Sequence, residues 1–170
     1  MHKVGRLKVY CILLLALLVQ ATVLSRFTIM GSRPDLMIIC VIFFGLFLGR
    51  SAGLEVGAVA GLMTDLFSLD YFGINMVVYG ITGLLAGSLR SSFARESKRS
   101  QALLVFVCTV FSMCVHFAIV SAFSRSISLG FFEYLKACVV PAGIYTALVS
   151  IPIFMKFMNM YSLKEQDDLL

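Results

Sequence analysis

The feature that most constrains this chain is a succession of long apolar segments separated by short polar stretches. Hydrophobic residues fill 60% of the 170 positions and charged residues only 14%, whereas about a quarter of an average soluble domain is charged. The mean hydropathy is +0.98. A membrane-spanning helix needs about 20 residues, so the chain holds at most about six spans and no soluble domain. We therefore expect one integral membrane domain over residues 1–170.

The apolar segments predict an all-α bundle of six transmembrane helices. As one helix, residues 34–69 would measure about 54 Å, against a hydrocarbon core of about 30 Å. This stretch must turn back on itself, and residues 49–53 are the predicted turn. Pro34 suits the first helical turn of the second span, with Ser32 as its cap. The predicted spans are about 9–27, 34–49, 53–69, 73–89, 103–123 and 134–154.

The positions of the basic residues predict the orientation of these spans. Cytoplasmic loops of membrane proteins are enriched in Lys and Arg. With the N-terminus inside, ten of the 14 Lys and Arg fall on the inner side and four on the outer side. We therefore expect a multi-pass membrane protein with both termini cytoplasmic. The net charge of +5 reflects this topology and does not indicate nucleic-acid binding. The four outer residues are Arg26, Arg33, Arg125 and Lys136.

Glycines recur at every fourth position from Gly45 to Gly61. Such a stripe lets helix backbones approach closely, because helices in lipid associate through small-residue packing. We favour packing among the second, third and fourth spans, and the alternative is a docking stripe for a helix of another protein. In both cases we expect Gly53, Gly57 and Gly61 to pack closely and the third span to lie at the centre of the bundle.

Three ionisable side chains lie deep in the predicted spans, Glu55, Asp65 and His116. The two carboxylates are ten residues apart, which turns them about 80° from each other on a helix, so they are not expected to form an acid/base pair. Because a charge in lipid is costly, each should face protein or water, or be protonated. For His116 we favour a hydrogen bond to another helix, with a proton relay or a ligand contact as the alternative.

The sequence lacks the residue patterns of an enzyme, a cofactor site or a metal site. It contains no GxSxG, HExxH or Walker pattern and no paired-aspartate phosphotransfer pattern. The five cysteines all lie in apolar segments without CxxC spacing, which is typical of apolar packing rather than of disulfides or zinc. We therefore expect a protein that is not an enzyme and uses no cofactor or metal.

An ordered combination of motifs over residues 33–87 resembles the MreD family of rod shape-determining membrane proteins. It begins with RPDL at residues 33–36 and continues with GxxxGLxxDL at residues 57–66. A glycine at position 73 and a glycine-rich span follow. The resemblance marks Pro34, Asp35, Asp65 and Gly73 as family-type positions at the outer face of the membrane.

The resemblance implies a non-enzymatic scaffold of the bacterial elongasome, located in the cytoplasmic membrane, that helps to control cell shape and lateral wall synthesis. It implies a single-span MreC-type protein as the direct partner within the lipid bilayer. MreB filaments, the RodA glycosyltransferase and its transpeptidase are implied as indirect partners. A homodimer of the chain within that complex is compatible with the resemblance.

The MreD family is in turn similar in fold to the substrate-binding subunits of energy-coupling-factor transporters, which have six helices and an outward cavity. This likeness motivates an alternative function, a small-molecule (vitamin-like) binding subunit of a membrane transporter. Such a subunit needs aromatic and polar side chains that converge on an outward pocket. Here Trp is absent and the 15 Phe residues are spread through the spans, so we favour the scaffold.

Overall fold

The chain is almost entirely helical in the residues that the computed structural model describes, which are 5–22, 34–67, 72–93, 98–123 and 130–167. These residues contain no β-strand, so the predicted all-α class is confirmed. A π-helical turn, Leu135–Val139, joins the last two helices. The helices are α1 (Arg6–Thr22), α2 (Leu36–Leu48), α3 (Arg50–Phe67), α4 (Ile74–Ser88), the short α5 (Arg90–Phe93), α6 (Lys98–Phe123), the short α7 (Phe131–Tyr134) and α8 (Val140–Asp167).

Helix α2 forms the centre of the bundle. Every residue from Leu36 to Leu46 is buried, and the helix contacts α1, α3, α4, α6 and α8. A helix that is apolar on all sides is suited to burial on all sides. The expectation that the third span lies at the centre was wrong, because α3 keeps Leu54, Leu62 and Leu66 exposed on the outside of the bundle.

The chain changes direction between α2 and α3 at a single residue. Gly49 has φ of 95° and ψ of −176°, a conformation that only glycine adopts readily. Its N–H donates to the carbonyl oxygen of Gly45 at 2.9 Å, and α3 begins at the next residue, Arg50. The predicted turn over 49–53 was therefore too long, since one glycine with positive φ is sufficient.

Two stretches of the described residues are long and apolar enough to cross a membrane, Ser100–Phe123 and Phe131–Met155. Helices α2 and α4 are apolar but shorter. Helix α3 contains three ionisable residues, and α1 has 17 residues with two basic ones in its first turn. The structure therefore has two clear candidate spans, and the arrangement of six spans stays a prediction.

The last helical segment continues through Pro141. A proline in a helix cannot donate to the carbonyl of the preceding turn, and local π-helical geometry is one way to accommodate it in a membrane helix. The π-helical turn stands directly before Pro141, with the N–H of Val140 donating to the carbonyl oxygen of Leu135. Helix α8 then carries Ala142 and Thr146 into the interior, where both are buried.

Candidate functional site

The carboxylate of Asp65 caps helix α4 from the last turn of α3. Asp65 is 1% exposed and accepts from the backbone N–H groups of Gly73, Asn75 and Met76 at 3.0, 3.2 and 3.0 Å. The side-chain amide of Asn75 donates to it as well, at 2.8 Å. The first N–H groups of a helix have no partner within the helix, and they favour a negative charge. These four hydrogen bonds accommodate the carboxylate inside the bundle, facing protein as expected.

Gly73 forms the turn that leads into α4. Its φ of 96° and ψ of −13° place it in the left-handed region, where a side chain is unfavourable. This conformation directs its N–H to the carboxylate of Asp65. The aspartate and the glycine of the family-type motif therefore act together, because they set where α4 begins.

Asp35 caps helix α2. Its backbone is extended, and its Oδ1 accepts from the N–H of Ile38 at 3.1 Å. The prediction that Pro34 occupies the first helical turn was wrong, since Pro34 lies before the cap and the helix begins at Leu36. Ser32, the predicted cap, lies outside the described residues. The cap therefore belongs to the aspartate of the RPDL motif.

Asp35 also connects three helices. Its Oδ2 accepts from the phenol O–H of Tyr79 on α4. Its backbone N–H donates to the hydroxyl oxygen of Thr146 on α8 at 3.3 Å. Two residues later, the N–H of Met37 donates to the side-chain oxygen of Gln20 on α1 at 3.1 Å. The start of α2 is thus held by polar contacts to α1, α4 and α8.

A cavity of about 280 Å³ lies beside this cluster, between α1, α2, α4, α6 and the last helical segment. Its size is near the lower end of the range of about 300–1,000 Å³ for ligand sites. Apolar residues such as Ile38, Val78 and Met113 form part of the wall. The polar lining residues are Gln20, Asp35, Asn75, Tyr79, Thr109, Ser112, His116, Tyr134 and Thr146.

The predicted glycine stripe packs inside the bundle, against α4. A Cβ atom at Gly53, Gly57 or Gly61 would lie 2.2 Å from a backbone carbonyl oxygen of α4. From the opposite side, a Cβ atom at Gly83 would lie 2.1 Å from the carbonyl oxygen of Gly53. The backbones are therefore in direct contact, and this surface is covered within the chain. We call this contact the glycine seam, formed by Gly53, Gly57 and Gly61 of α3 and by Gly83 and Gly87 of α4.

Glu55 lies near the other end of α3, about 15 Å from Asp65 along the helix. Its Oε1 accepts from the phenol O–H of Tyr10 at 2.7 Å and lies 3.7 Å from Nε of Arg6. These contacts join α1 to α3. Glu55 and Asp65 thus have separate partners, as the angle between them on the helix predicts.

His116, singled out from the sequence, lies in the cavity wall, but its polar neighbours there on α4 and α6 were not predicted. Asn75 and Tyr79 are four residues apart, and Thr109, Ser112 and His116 follow at intervals of three and four, so each set shares one helix face. That spacing is visible in the sequence. Hydroxyl side chains in membrane helices also bond to their own backbone, as Thr109 does, so the spacing alone does not indicate a cavity.

The family model of the rod shape-determining protein MreD matches residues 1–163. The chain belongs to the MreD family. The resemblance drawn from residues 33–87 is confirmed and extends over nearly the whole chain. No curated protein and no solved structure matches this MreD-family chain, so its likeness to transporter subunits stays a prediction.

The ionisable and sulfur-containing side chains of the described residues have structural positions in this membrane protein. Asp35 and Asp65 both accept hydrogen bonds from a helix N-terminus, and they belong to the caps of two different helices. All five cysteines lie in the described residues and none forms a disulfide. The described residues contain no group of three His, Cys, Asp or Glu that could hold a metal ion. The two carboxylates thus fix where α2 and α4 begin.

Proposed function

We propose that this chain is a non-enzymatic membrane scaffold of the bacterial elongasome that binds a single-span MreC-type protein. The match of the MreD family over residues 1–163 carries the proposal, because that family determines cell shape together with MreB and MreC. Through the MreC-type partner, the chain would connect cytoplasmic MreB filaments with RodA and its transpeptidase. It would thereby help to control lateral wall synthesis.

We further propose six spans with both termini in the cytoplasm, in an arrangement similar to the substrate-binding subunits of energy-coupling-factor transporters. The distribution of ten inner and four outer basic residues supports this orientation. The shortness of α2 is compatible with it, because a helix enclosed by other helices need not match the thickness of the lipid along its length. Reporter fusions at positions 1, 70, 95, 127 and 170 would test the orientation.

The partner helix would use a surface outside the glycine seam. The seam is already covered by contact between α3 and α4, so a second protein does not reach it. A large side chain in the seam would therefore reduce partner binding through the fold and not through a lost contact. A seam variant that no longer binds the partner therefore reports a change in the fold of the chain.

The experiment that tests the scaffold proposal is co-purification combined with complementation. The full chain and the MreC-type protein of the same genome are expressed together, extracted in mild detergent and isolated through a tag on the chain. In parallel, the pair replaces its counterparts in a rod-shaped bacterium. We expect a stable complex and restored rod shape for the wild type and for Gly80→Ala, whose added Cβ meets only ordinary contacts at 3.5 Å.

Two results would contradict the proposal. One is a chain that is folded and inserted in the membrane but does not co-purify with the MreC-type protein. The other is a stable complex that does not restore rod shape, which would remove the role in wall synthesis. Gly57→Leu serves as the folding control and is expected to lose both the complex and the shape.

A second candidate function, a vitamin-binding subunit of a transporter, rests on the cavity. A protein of that kind retains its vitamin through purification. Mass spectrometry of small molecules released from the denatured chain tests this alternative. A stoichiometric vitamin in that extract would replace the scaffold as the preferred function.

A further inference from the structure

Two exposed arginines lie side by side where the turn after α2 meets the end of α4. Arg50 is the first residue of α3, and Arg90 is the first residue of α5. A Cβ atom at Gly87 would lie 2.6 Å from Cα of Arg50, so the end of α4 touches the start of α3. A Cβ atom at Gly49, the residue before Arg50, would lie 3.3 Å from Nη1 of Arg90. The two residues therefore form one patch, and we call Arg50 and Arg90 the arginine pair.

The arginine pair concentrates positive charge at this end of the bundle. Among the residues that the structure describes, no carboxylate forms an ion pair with Arg50 or Arg90, and the ion pair at this end joins Arg6 to Glu55. Two like charges held close together repel each other, and an anion bound by both is attracted to both. A guanidinium group presents five N–H donors in a planar fork that matches a phosphate group. The arginine pair is therefore a surface for a phosphate-bearing anion.

The outer surface next to the arginine pair is apolar. Leu54 follows Arg50 by one helical turn on α3 and is 43% exposed. On α4, Leu85 lies in the last turn and Ile81 one turn earlier, and both are exposed. A positive patch with an apolar surface beside it matches an amphipathic anion better than a water-soluble one. In a membrane, the anion of this kind is an anionic phospholipid.

We propose that the arginine pair binds the phosphate group of an anionic phospholipid, whose acyl chains lie along Leu54, Ile81 and Leu85. Basic side chains between membrane helices bind anionic headgroups in this way. The occupant is a lipid and not a free phosphate, because a water-soluble anion would leave the apolar residues uncovered. The inference uses the membrane location of the family, and it does not rest on the proposed scaffold function or on the orientation of the spans.

The test measures the thermal unfolding midpoint of the full chain in a neutral detergent, with three probes. Dioctanoyl-phosphatidylglycerol has an anionic headgroup and two acyl chains. Dioctanoyl-phosphatidylcholine has the same chains and a zwitterionic headgroup, and glycerophosphoglycerol is the anionic headgroup without chains. A ligand that binds the folded state raises the midpoint. We expect a saturable rise with the phosphatidylglycerol and none with the other two probes at the same concentration.

Variants of the arginine pair connect this binding to the two side chains. Arg50→Gln and Arg90→Gln should each raise the apparent Kd for the phosphatidylglycerol about fivefold, the effect of one basic side chain near an anionic headgroup. Because both side chains are exposed, glutamine should leave the midpoint without lipid nearly unchanged. Arg90→Lys keeps the charge but loses the planar fork, so it should weaken binding less than Arg90→Gln does.

Arg6→Gln is the matched control. Arg6 is also an exposed arginine at this end of the bundle, but it lies 3.7 Å from the carboxylate of Glu55. The control changes the net charge of the chain by the same amount as the other two variants. We expect the apparent Kd to stay within about twofold of the wild type, because a distant exposed charge is screened. Equal losses in all three glutamine variants would show that the lipid responds to net charge and would overturn the proposal.

Four further outcomes would overturn the proposal. No shift with any probe would show that this surface does not bind lipid. An equal shift with the phosphatidylcholine would show that the apolar surface binds without the arginine pair. An equal shift with glycerophosphoglycerol would show a site for a soluble anion, such as an acidic protein segment. A phosphatidylglycerol shift that neither Arg50→Gln nor Arg90→Gln weakens would place the lipid elsewhere on the chain.

Discussion

The two sides of helix α4 pack in opposite ways. One side meets α3 along the glycine seam, where Gly53 and Gly83 approach so closely that a Cβ atom does not fit at either position. The other side turns Asn75, Val78 and Tyr79 to a cavity that five helical segments leave between them. One face of α4 is therefore in direct backbone contact with α3, and the opposite face lines a cavity with polar side chains.

This difference assigns separate roles to the two regions: the seam stabilises the bundle, and the cavity provides the space for binding. Helices in lipid gain little from apolar contact, so close packing of small residues determines where α4 lies relative to α3. The polar groups of the cavity depend on that position. Asn75 connects the two regions, because it lines the cavity while its amide donates to Asp65 at the end of α3.

The largest expected effect comes from opening the seam with Gly57→Leu. A Cβ at Gly57 would lie 2.2 Å from the carbonyl oxygen of Tyr79 and 3.0 Å from Cα of Gly80, so α3 and α4 must separate. Overpacking costs typically about 1–3 kcal/mol, and more where backbone atoms must move. We expect the unfolding free energy in detergent, measured by denaturant titration, to fall by about 3 kcal/mol or more.

Gly80→Ala is the matched control for that prediction. Gly80 lies in α4, on the other helix of the same pair, but an added Cβ there would be 3.5 Å from Cδ1 of Leu54, an ordinary contact. Alanine also favours the helix over glycine, by up to about 1 kcal/mol. We expect equal or slightly higher stability. If Gly57→Leu and Gly80→Ala behaved alike, the seam would not determine the packing of α3 and α4.

The second largest effect is expected for Asp65→Ala, at the junction of the seam and the cavity. The variant leaves the N–H groups of Gly73, Asn75 and Met76 without their acceptor. A lost cap costs about 0.5–2 kcal/mol, and the upper part of that range is expected here because three part-buried donors lose their acceptor. Amide hydrogen exchange at these three positions should become faster, and Asp65→Asn should recover part of the protection. Unchanged exchange in Asp65→Ala would contradict the assigned cap.

The approximate positions of the helices could be predicted from the sequence. The third and fourth predicted spans, 53–69 and 73–89, differ from α3 and α4 by at most three residues at any boundary. Long apolar segments with glycine between them are a strong local signal. The motif positions Asp35 and Asp65 were also predicted, and their role in capping two helices came only from the coordinates.

The arrangement of the helices could not be predicted from hydropathy. Lipid is as apolar as a protein core, so a uniformly apolar segment such as α2 fits either environment, and its central position follows from packing. The cavity was missed for a different reason. Its polar groups come from five helical segments that are distant in sequence, and each segment contributes only a few, for example Gln20, Asp35, Tyr79, His116 and Thr146.

A smaller effect is expected for Tyr79→Phe, which changes the cavity wall without touching the seam. The variant removes the hydroxyl that donates to Asp35. Hydrogen bonds between helices in membranes contribute about 0.6 kcal/mol on average and up to about 1.7 kcal/mol. We expect a loss of about 1 kcal/mol in detergent. A double-mutant cycle with Asp35→Ala, which removes the acceptor, should show coupling between the two positions, and strictly additive losses would contradict a direct contact.

The smallest effect is expected for Glu55→Gln, at a contact outside both regions. The side chains of Arg6 and Glu55 are 66% and 34% exposed and their charged atoms are 3.7 Å apart. Exposed ion pairs contribute about 0–1 kcal/mol, and glutamine can still accept from the hydroxyl of Tyr10. The small difference from the wild type should disappear at high salt, because salt screens an exposed pair. A loss above about 1 kcal/mol that persists in high salt would show instead that the contact is enclosed, like those of Asp35 and Asp65.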